Sequence, residues 1–440
     1  MAIPLMVLRS MSSVAIEEDR KAANDRLIAA VLFLATFLYF WVSLTPFPDL
    51  SAGNENSAAS AGSNLLNQVA AIGLIVSLAA FAYRQPNTAM VLQPRLVLAG
   101  LLGWYVLVSL PTPDPLFALR RLAMATIVVV AASIFLTLPR SERHFGKLLG
   151  IGLFIVLGLC YFGAIFMPRL AIHQATDAVE PMLDGDWRGL FNHKNAAGSA
   201  MVISMFCGFF VYRTWSAVAG ILILVLSLIF LVNTGSKTSV GMVPAVMLVA
   251  FLLQKVAFLR PALVIGGIAT INTFTIGSAL SEQISGIVKS LGIDPTFTAR
   301  TDLWQLAVES IMARPVTGYG YQSFWRSEAL LHGFREEDTW ATMANDAHNG
   351  YLDLLLTVGI PGFVLAMLFL VLLPLRYIDK AEQRGNRPAL TVLFTRIWLF
   401  VLFTACLESI FFATGDAVWF MLLVSIFGLR LQAFARLRED

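Results

Sequence analysis

Charge is what this 440-residue chain has least of: Asp, Glu, Lys and Arg make up 13% of it, against 58% hydrophobic residues. A soluble domain carries about a quarter charged residues to cover its one core, so this shortage excludes that class. The formal net charge of +3 is too small for a nucleic-acid partner, and none is expected. Cysteine is scarce as well. Cys160, Cys207 and Cys406 each sit inside an apolar run, where a thiol is a small packing group, and neither a disulfide framework nor a metal site follows from them. No small-residue cleavage site follows the first apolar run, 27–44, which therefore reads as a retained span and not as a removed signal peptide. An internal repeat is also missing, so an inverted-repeat transporter has no direct support.

What the chain has in abundance is apolar length. Mean hydropathy is +0.74, and runs long enough to cross a bilayer can be drawn at 27–44, 65–83, 96–110, 116–138, 147–167, 195–212, 216–232, 239–254, 259–280, 350–376, 390–411 and 414–430. The expectation is an all-α, polytopic integral membrane protein of about twelve transmembrane helices, a single domain over 1–440. Lys and Arg fall into alternate loops, among them Arg84, Arg95, Arg140, Arg143, Lys147, Arg213, Lys255, Arg260, Arg376, Lys380, Arg384 and Arg387. Positive loops stay cytoplasmic, which places both termini inside and the large loop 281–347 outside. The Ser-, Ala- and Gly-rich stretch 51–63 reads as a flexible outer loop. Within the large loop, 298–314 reads as an amphipathic helix on the membrane surface, with Leu303, Trp304, Ala307, Val308 and Ile311 on its apolar side. Gly318-Tyr319-Gly320-Tyr321 reads as a flexible aromatic turn behind it.

Basic residues on the outer side break the charge rule and call for another reason. They include Arg120, Arg121, Arg188, Lys194, Lys237 and Arg300, while Arg169, Lys289, Arg314, Arg326 and Arg335 also fit a solvated face. At the mouth of the span 350–376, Asn345-Asp346-Ala347-His348-Asn349 adds an imidazole at the membrane edge, where an ionisable group is a functional hypothesis by default. Asp346 or Asn345 is the expected cap, and helical spacing carries His348 to Leu352, Leu355, Gly359 and Gly362. The two glycines would admit a neighbouring helix, with Pro361 bending the span. Guanidinium, ammonium and imidazole groups gathered on one side suit an anionic substrate such as a lipid-linked sugar diphosphate. Glycosyl transfer from such a donor needs charge neutralisation on the leaving diphosphate and a base for the acceptor hydroxyl. No His/Cys cluster with metal spacing stands on this face, and the expected reaction uses no metal and no cofactor. The plainer readings are an interfacial histidine and arginines that anchor lipid headgroups.

At these residues the sequence resembles a known family. His348-Asn349, nine residues, Gly359, two residues and Gly362 resembles the signature of the O-antigen ligase and polymerase superfamily of bacterial membrane glycosyltransferases. Arg300-Thr301-Asp302-Leu303-Trp304 is similar to that family's loop arginine motif, and Arg188-Gly189-Leu190-Phe191-Asn192-His193-Lys194-Asn195 to a stretch of succinoglycan-type exopolysaccharide polymerases. The resemblance implies a GT-C-like fold and the polymerisation of undecaprenyl-diphosphate-linked repeat units at the outer face of the inner membrane. It assigns His348 a catalytic role and Arg300 a diphosphate contact. Lys237, Arg188, His193, Lys194, Asn195, Arg120 and Arg121 follow as substrate-binding candidates. Its implied partners are lipid-linked donor and acceptor and the bilayer, with a flippase and a chain-length regulator as candidates. In one place the chain departs from the pattern: Lys237 follows Ser236 where the family commonly has arginine, so a point charge replaces a fork. An O-antigen ligase and a transporter without enzymatic activity stay open. For the transporter, Arg396 and Glu408 are the candidate midplane charges, or else a structural pair.

Overall fold

A computed structural model of the chain describes residues 5–44, 46–51, 65–84, 91–178, 180–297, 300–325, 344–384 and 389–435. The low-complexity stretch from residue 52 on, Arg326, Arg335 and Arg387 lie outside the described residues. The helices of nine or more residues are α1 Leu5–Trp41, α2 Leu65–Tyr83, α3 Arg95–Ser109, α4 Pro115–Phe135, α5 Glu142–Phe166, α6 Lys194–Thr214, α7 Ala217–Asn233, α8 Lys237–Lys255, α9 Arg260–Leu280, α10 Glu282–Ser290, α11 Thr301–Ala313, α12 Gly350–Met367, α13 Leu373–Gln383, α14 Ala389–Thr404 and α15 Ala417–Phe434. No strand forms among the described residues, only an isolated antiparallel bridge between Ile172 and Trp187. Among the described residues nine helices are long and apolar enough to cross a membrane, α12 and α13 running on through a π-helical turn as one of them, and α3, α7 and α14 are shorter apolar helices. This is a polytopic all-helical membrane protein.

Helix α15 is the axis of the bundle. Nearly every one of its residues is buried, and α14, α13, α4 and α6 pack around it. An aromatic seam joins it to its neighbours: Phe420 stacks on Phe40 at 4.4 Å and meets Phe135 edge-on, and Phe135 stacks on Phe33 at 4.2 Å. Such offset and edge contacts add to simple burial. Because α12 and α13 form one long span, they mark the two ends of the bundle. Arg260 is buried at one end between Asp379 and Glu382, and His348 stands at the other.

Several local expectations change, each for a backbone reason. The cap of α12 is Asn349, whose side chain accepts from the N–H groups of Tyr351 and Leu352, and not Asp346 or Asn345. His348 is consequently outside the helix, at φ 46°, with its own N–H donated to Asp346 at 2.8 Å. Gly359 does admit a close neighbour, but the neighbour is a loop. The helix breaks there at φ 62°, ψ −172°, and an added Cβ would lie 2.1 Å from the Val316 carbonyl. The carbonyls freed by the break find new donors: Tyr319 and Gly320 donate to Leu356 and Thr357, and Trp104 Nε1 donates to Val358. The aromatic turn 318–321 is therefore pinned, not free. Helix α11 buries Leu303, Trp304 and Ala307 against α9 and α12.

The conformation at Gly359 is one that only glycine adopts without strain. Gly359→Ala is expected to destabilise the protein by at least about 2 kcal/mol, from strain plus overlap. Gly286→Ala, where a Cβ would meet open space, is the control. Thermal unfolding in one detergent should show a lower midpoint for the first variant alone; equal midpoints would remove the break from the account.

Candidate active site

The site forms where α14 stops early. The apolar run 390–411 reads as one span, yet the helix ends at Thr404, and residues 405–409 wrap the start of α12. Gly350 donates its N–H to the Ala405 carbonyl at 2.8 Å, Asn349 Nδ2 donates to Cys406 at 2.8 Å, and the Asn349 N–H donates to Ser409 Oγ at 3.1 Å. Asn349 is fully buried and also donates to Asn272 of α9 at 2.8 Å. The carboxylate of Asp353 accepts from Ser409, Trp325 and the Ala347 N–H, which fastens the turn before α12 to its first helical turn. With Asn349, Ser409 and Asp353 each holding more than one partner, the bonds of this knot favour one arrangement.

Out of the knot projects Glu408, its side chain 18% exposed. Arg300 Nη2 donates to it at 3.2 Å while Nη1 donates to the Leu407 carbonyl. Asn195 Nδ2 donates to the same oxygen at 2.9 Å. His348 Nδ1 lies 3.7 Å from the other oxygen and 3.7 Å from Asp346, with its ring 35% exposed. Burial opposes protonation of His348, but contact with Glu408 and the Asp346 charge outweigh it and raise its pKa above the ordinary histidine value. Glu408 is desolvated too, yet its contact with His348 and the Arg300 charge hold it down at about 2. The imidazole is thus a stronger proton acceptor than a free one.

From Asn195 the network continues to the link between α7 and α8. Ser236 Oγ donates to Asn195 Oδ1 at 3.2 Å, and Lys237 follows at the first position of α8, exposed, at a helix N-terminus whose cap, Ser236, accepts no helix N–H with its side chain. An ammonium beside free N–H groups suits an anion. Lys194 is held by Asp186 at 2.7 Å. His193 caps α6, its Nδ1 accepting from the Asn195 N–H at 3.1 Å, and its Nε2 meets Glu180 at 3.0 Å. Both ring nitrogens are engaged, so taking a proton at Nδ1 would undo the cap.

Three of the basic residues stand elsewhere. Arg188 is 1% exposed and donates to the Phe191 and Pro48 carbonyls, holding its loop instead of facing a ligand. Arg121 lies over the Phe117 ring and donates to Gln322, away from Glu408, and Arg120 is exposed on the same helix. Glu408 reads in the sequence as a midplane charge beside Arg396, and not as a member of this site. Arg396 does not pair with it but faces the Phe209 ring at 5.6 Å. The signal was a Glu-Ser pair at the end of an apolar run, hidden because the run reads as helix to residue 411.

Fold and site together define a multi-pass membrane protein with an ionic centre at one end of its bundle. A family model described as O-antigen ligase matches residues 200–367, a stretch that holds Lys237, Arg300 and His348 and stops short of Glu408. The chain is also similar to the exopolysaccharide production protein ExoQ of Rhizobium meliloti (strain 1021), with 28% identity over 236 residues that cover 48% of this chain and 52% of that protein. The chain thus spans about half the length of the curated relative it matches. Both matches support the O-antigen ligase and polymerase superfamily.

Proposed function

We propose that the protein is a metal-independent membrane glycosyltransferase that polymerises undecaprenyl-diphosphate-linked oligosaccharide repeat units into an exopolysaccharide or O-antigen-type chain. The site faces the periplasm from the bacterial inner membrane. The observation that carries this reading is the meeting of Arg300 and His348 on Glu408 at one end of the bundle. In the step envisaged, the acceptor hydroxyl oxygen bonds to the anomeric carbon of the donor sugar while the bond from that carbon to the diphosphate oxygen breaks. The hydroxyl proton passes to His348, and the electron pair leaves with the lipid diphosphate, whose charge Arg300 and Lys237 offset. Basic side chains take the place a cation would have. A flippase and a chain-length regulator are the protein partners this reading calls for.

Transfer of a finished glycan onto a lipid core is the second reading, favoured by the description of the matched family as ligase. Arg396 faces the Phe209 ring and Glu408 stands with Arg300, so the two do not form a structural pair, and the transporter stays a third reading. Purified protein given only lipid-diphosphate-linked repeat units should build a ladder of longer lipid-linked chains, with undiminished yield in excess chelator. A product that forms only when a lipid core is added would favour the ligase, and loss in chelator reversed by magnesium or manganese would count against a metal-free step.

A further inference from the structure

We infer that Glu408 is the positioning residue of this centre, a shared carboxylate that sets Arg300 and His348 at one spacing and offsets the imidazolium formed when the acceptor proton arrives. The inference rests on the reading of His348 as base. Glu408 lies beyond the stretch matched by the family and outside every motif singled out in the sequence, so only the geometry carries it. Its backbone is fixed on the α12 cap: the Gly350 N–H donates to the Glu408 carbonyl at 3.2 Å, and both adjoining residues are bonded, Leu407 to Arg300 and Ser409 to Asn349 and Asp353. A carboxylate aimed by so many bonds has little freedom to turn away, and its two oxygens serve different partners. One accepts from Arg300 and Asn195, and the other faces His348.

The charges around the pair explain why a carboxylate is needed. Arg300, entering from the start of α11, disfavours a second cation on His348. Asp346 on the turn before α12, and Glu180 and His193 from the segment before α6, are the other titratable groups that face the centre. Glu180 is engaged with His193. Among the described residues Glu408 is the carboxylate that meets both Arg300 and His348, so beside Asp346 it favours a proton on the imidazole while offsetting the guanidinium that opposes one. The same arrangement gives Arg300 a partner before a diphosphate arrives. A carboxylate and a phosphate present similar oxygen edges to an arginine fork, and a diphosphate can therefore take over one arm of Arg300 while Glu408 keeps facing His348.

The test is the pH dependence of chain extension in Glu408→Gln and Glu408→Asp, with His348→Gln in parallel, each variant first checked for an unchanged unfolding midpoint. A base must be unprotonated to act, so activity falls as pH drops through its pKa. The carboxylate raises that pKa, so removing its charge should move the acid limb to lower pH. The expected order of the limb is wild type highest, Glu408→Asp next and Glu408→Gln lowest, with kcat in the Gln variant down about 10- to 100-fold, as for other residues that act through a ligand. Should Glu408→Gln not fold, Glu408→Asp carries the test by moving the limb in the same direction. A limb that stays at the wild-type pH in the Glu408 variants, while His348→Gln abolishes it, overturns this inference alone. If the limb survives in His348→Gln, the reading of His348 as base is what fails.

Discussion

Replacing His348 by alanine is expected to lower chain extension by about 10²–10⁴-fold, the usual contribution of a general base, with insertion, unfolding midpoint and donor binding retained. The retention follows from its position. His348 precedes the helix, its ring is 35% exposed, and the cap of α12 and the knot of residues 405–409 are held by Asn349 and not by the imidazole. Its backbone is another matter. A φ of 46° is uncommon outside glycine, though histidine, asparagine and aspartate tolerate it best. His348→Asn is therefore the better control for the turn, and it should be as inactive as alanine. Activity in the wild type should fall on acidification through a pKa that Glu408 and Asp346 hold above the ordinary histidine value. Full activity in either variant would move the base elsewhere.

The second large effect is expected at Arg300. Its two terminal nitrogens reach different acceptors, the Leu407 carbonyl and the Glu408 carboxylate. A lysine can keep the charge but cannot hold both directions at once. Arg300→Lys and Arg300→Ala should each reduce kcat/KM by about 10²-fold or more, the loss typical when one preorganised donor to developing charge is removed. Steady-state kinetics with the lipid-linked donor separate the cases: a lysine variant equal to wild type at matched expression would reduce Arg300 to a surface charge.

How much of this was legible in the sequence depends on which forces decide each feature. Apolar run length set the class and nearly all the helix positions, because bilayer thickness and hydrogen-bond satisfaction act on local composition. Arg300, His348 and Asn195 stand in the sequence as charged or polar groups at helix ends, and different elements bring them onto Glu408, with Lys237 next to the Ser236 that bonds Asn195. The misses come from tertiary bonding. Helix α14 is apolar enough to continue past Thr404, and it stops because Ala405, Cys406 and Ser409 bond the start of α12, a partner far away in sequence. With that stop unseen, Glu408 reads as a charge inside a span. Arg188 fits a phosphate contact by type, yet it is buried and bonded to Pro48 across 140 residues of chain. The aromatic turn 318–321 reads as loose because nothing local to it reveals that the break at Gly359 leaves carbonyls for it to meet.

The central claim is that the turn before α12 is where glycosyl transfer occurs, and two histidines on the same side of the bundle separate it from its nearest rival. His348 offers a ring nitrogen to the site, while His193 has both nitrogens engaged, one as the cap of α6 and one with Glu180. The most direct measurement is chain extension by His348→Ala and His193→Ala, reconstituted at equal amounts in the same lipid and given the same lipid-diphosphate-linked repeat units. The account predicts that His348→Ala stops extension while still binding donor, and that His193→Ala keeps extending with a lowered unfolding midpoint. Extension at the wild-type rate by His348→Ala, with none by a folded His193→Ala, would contradict it.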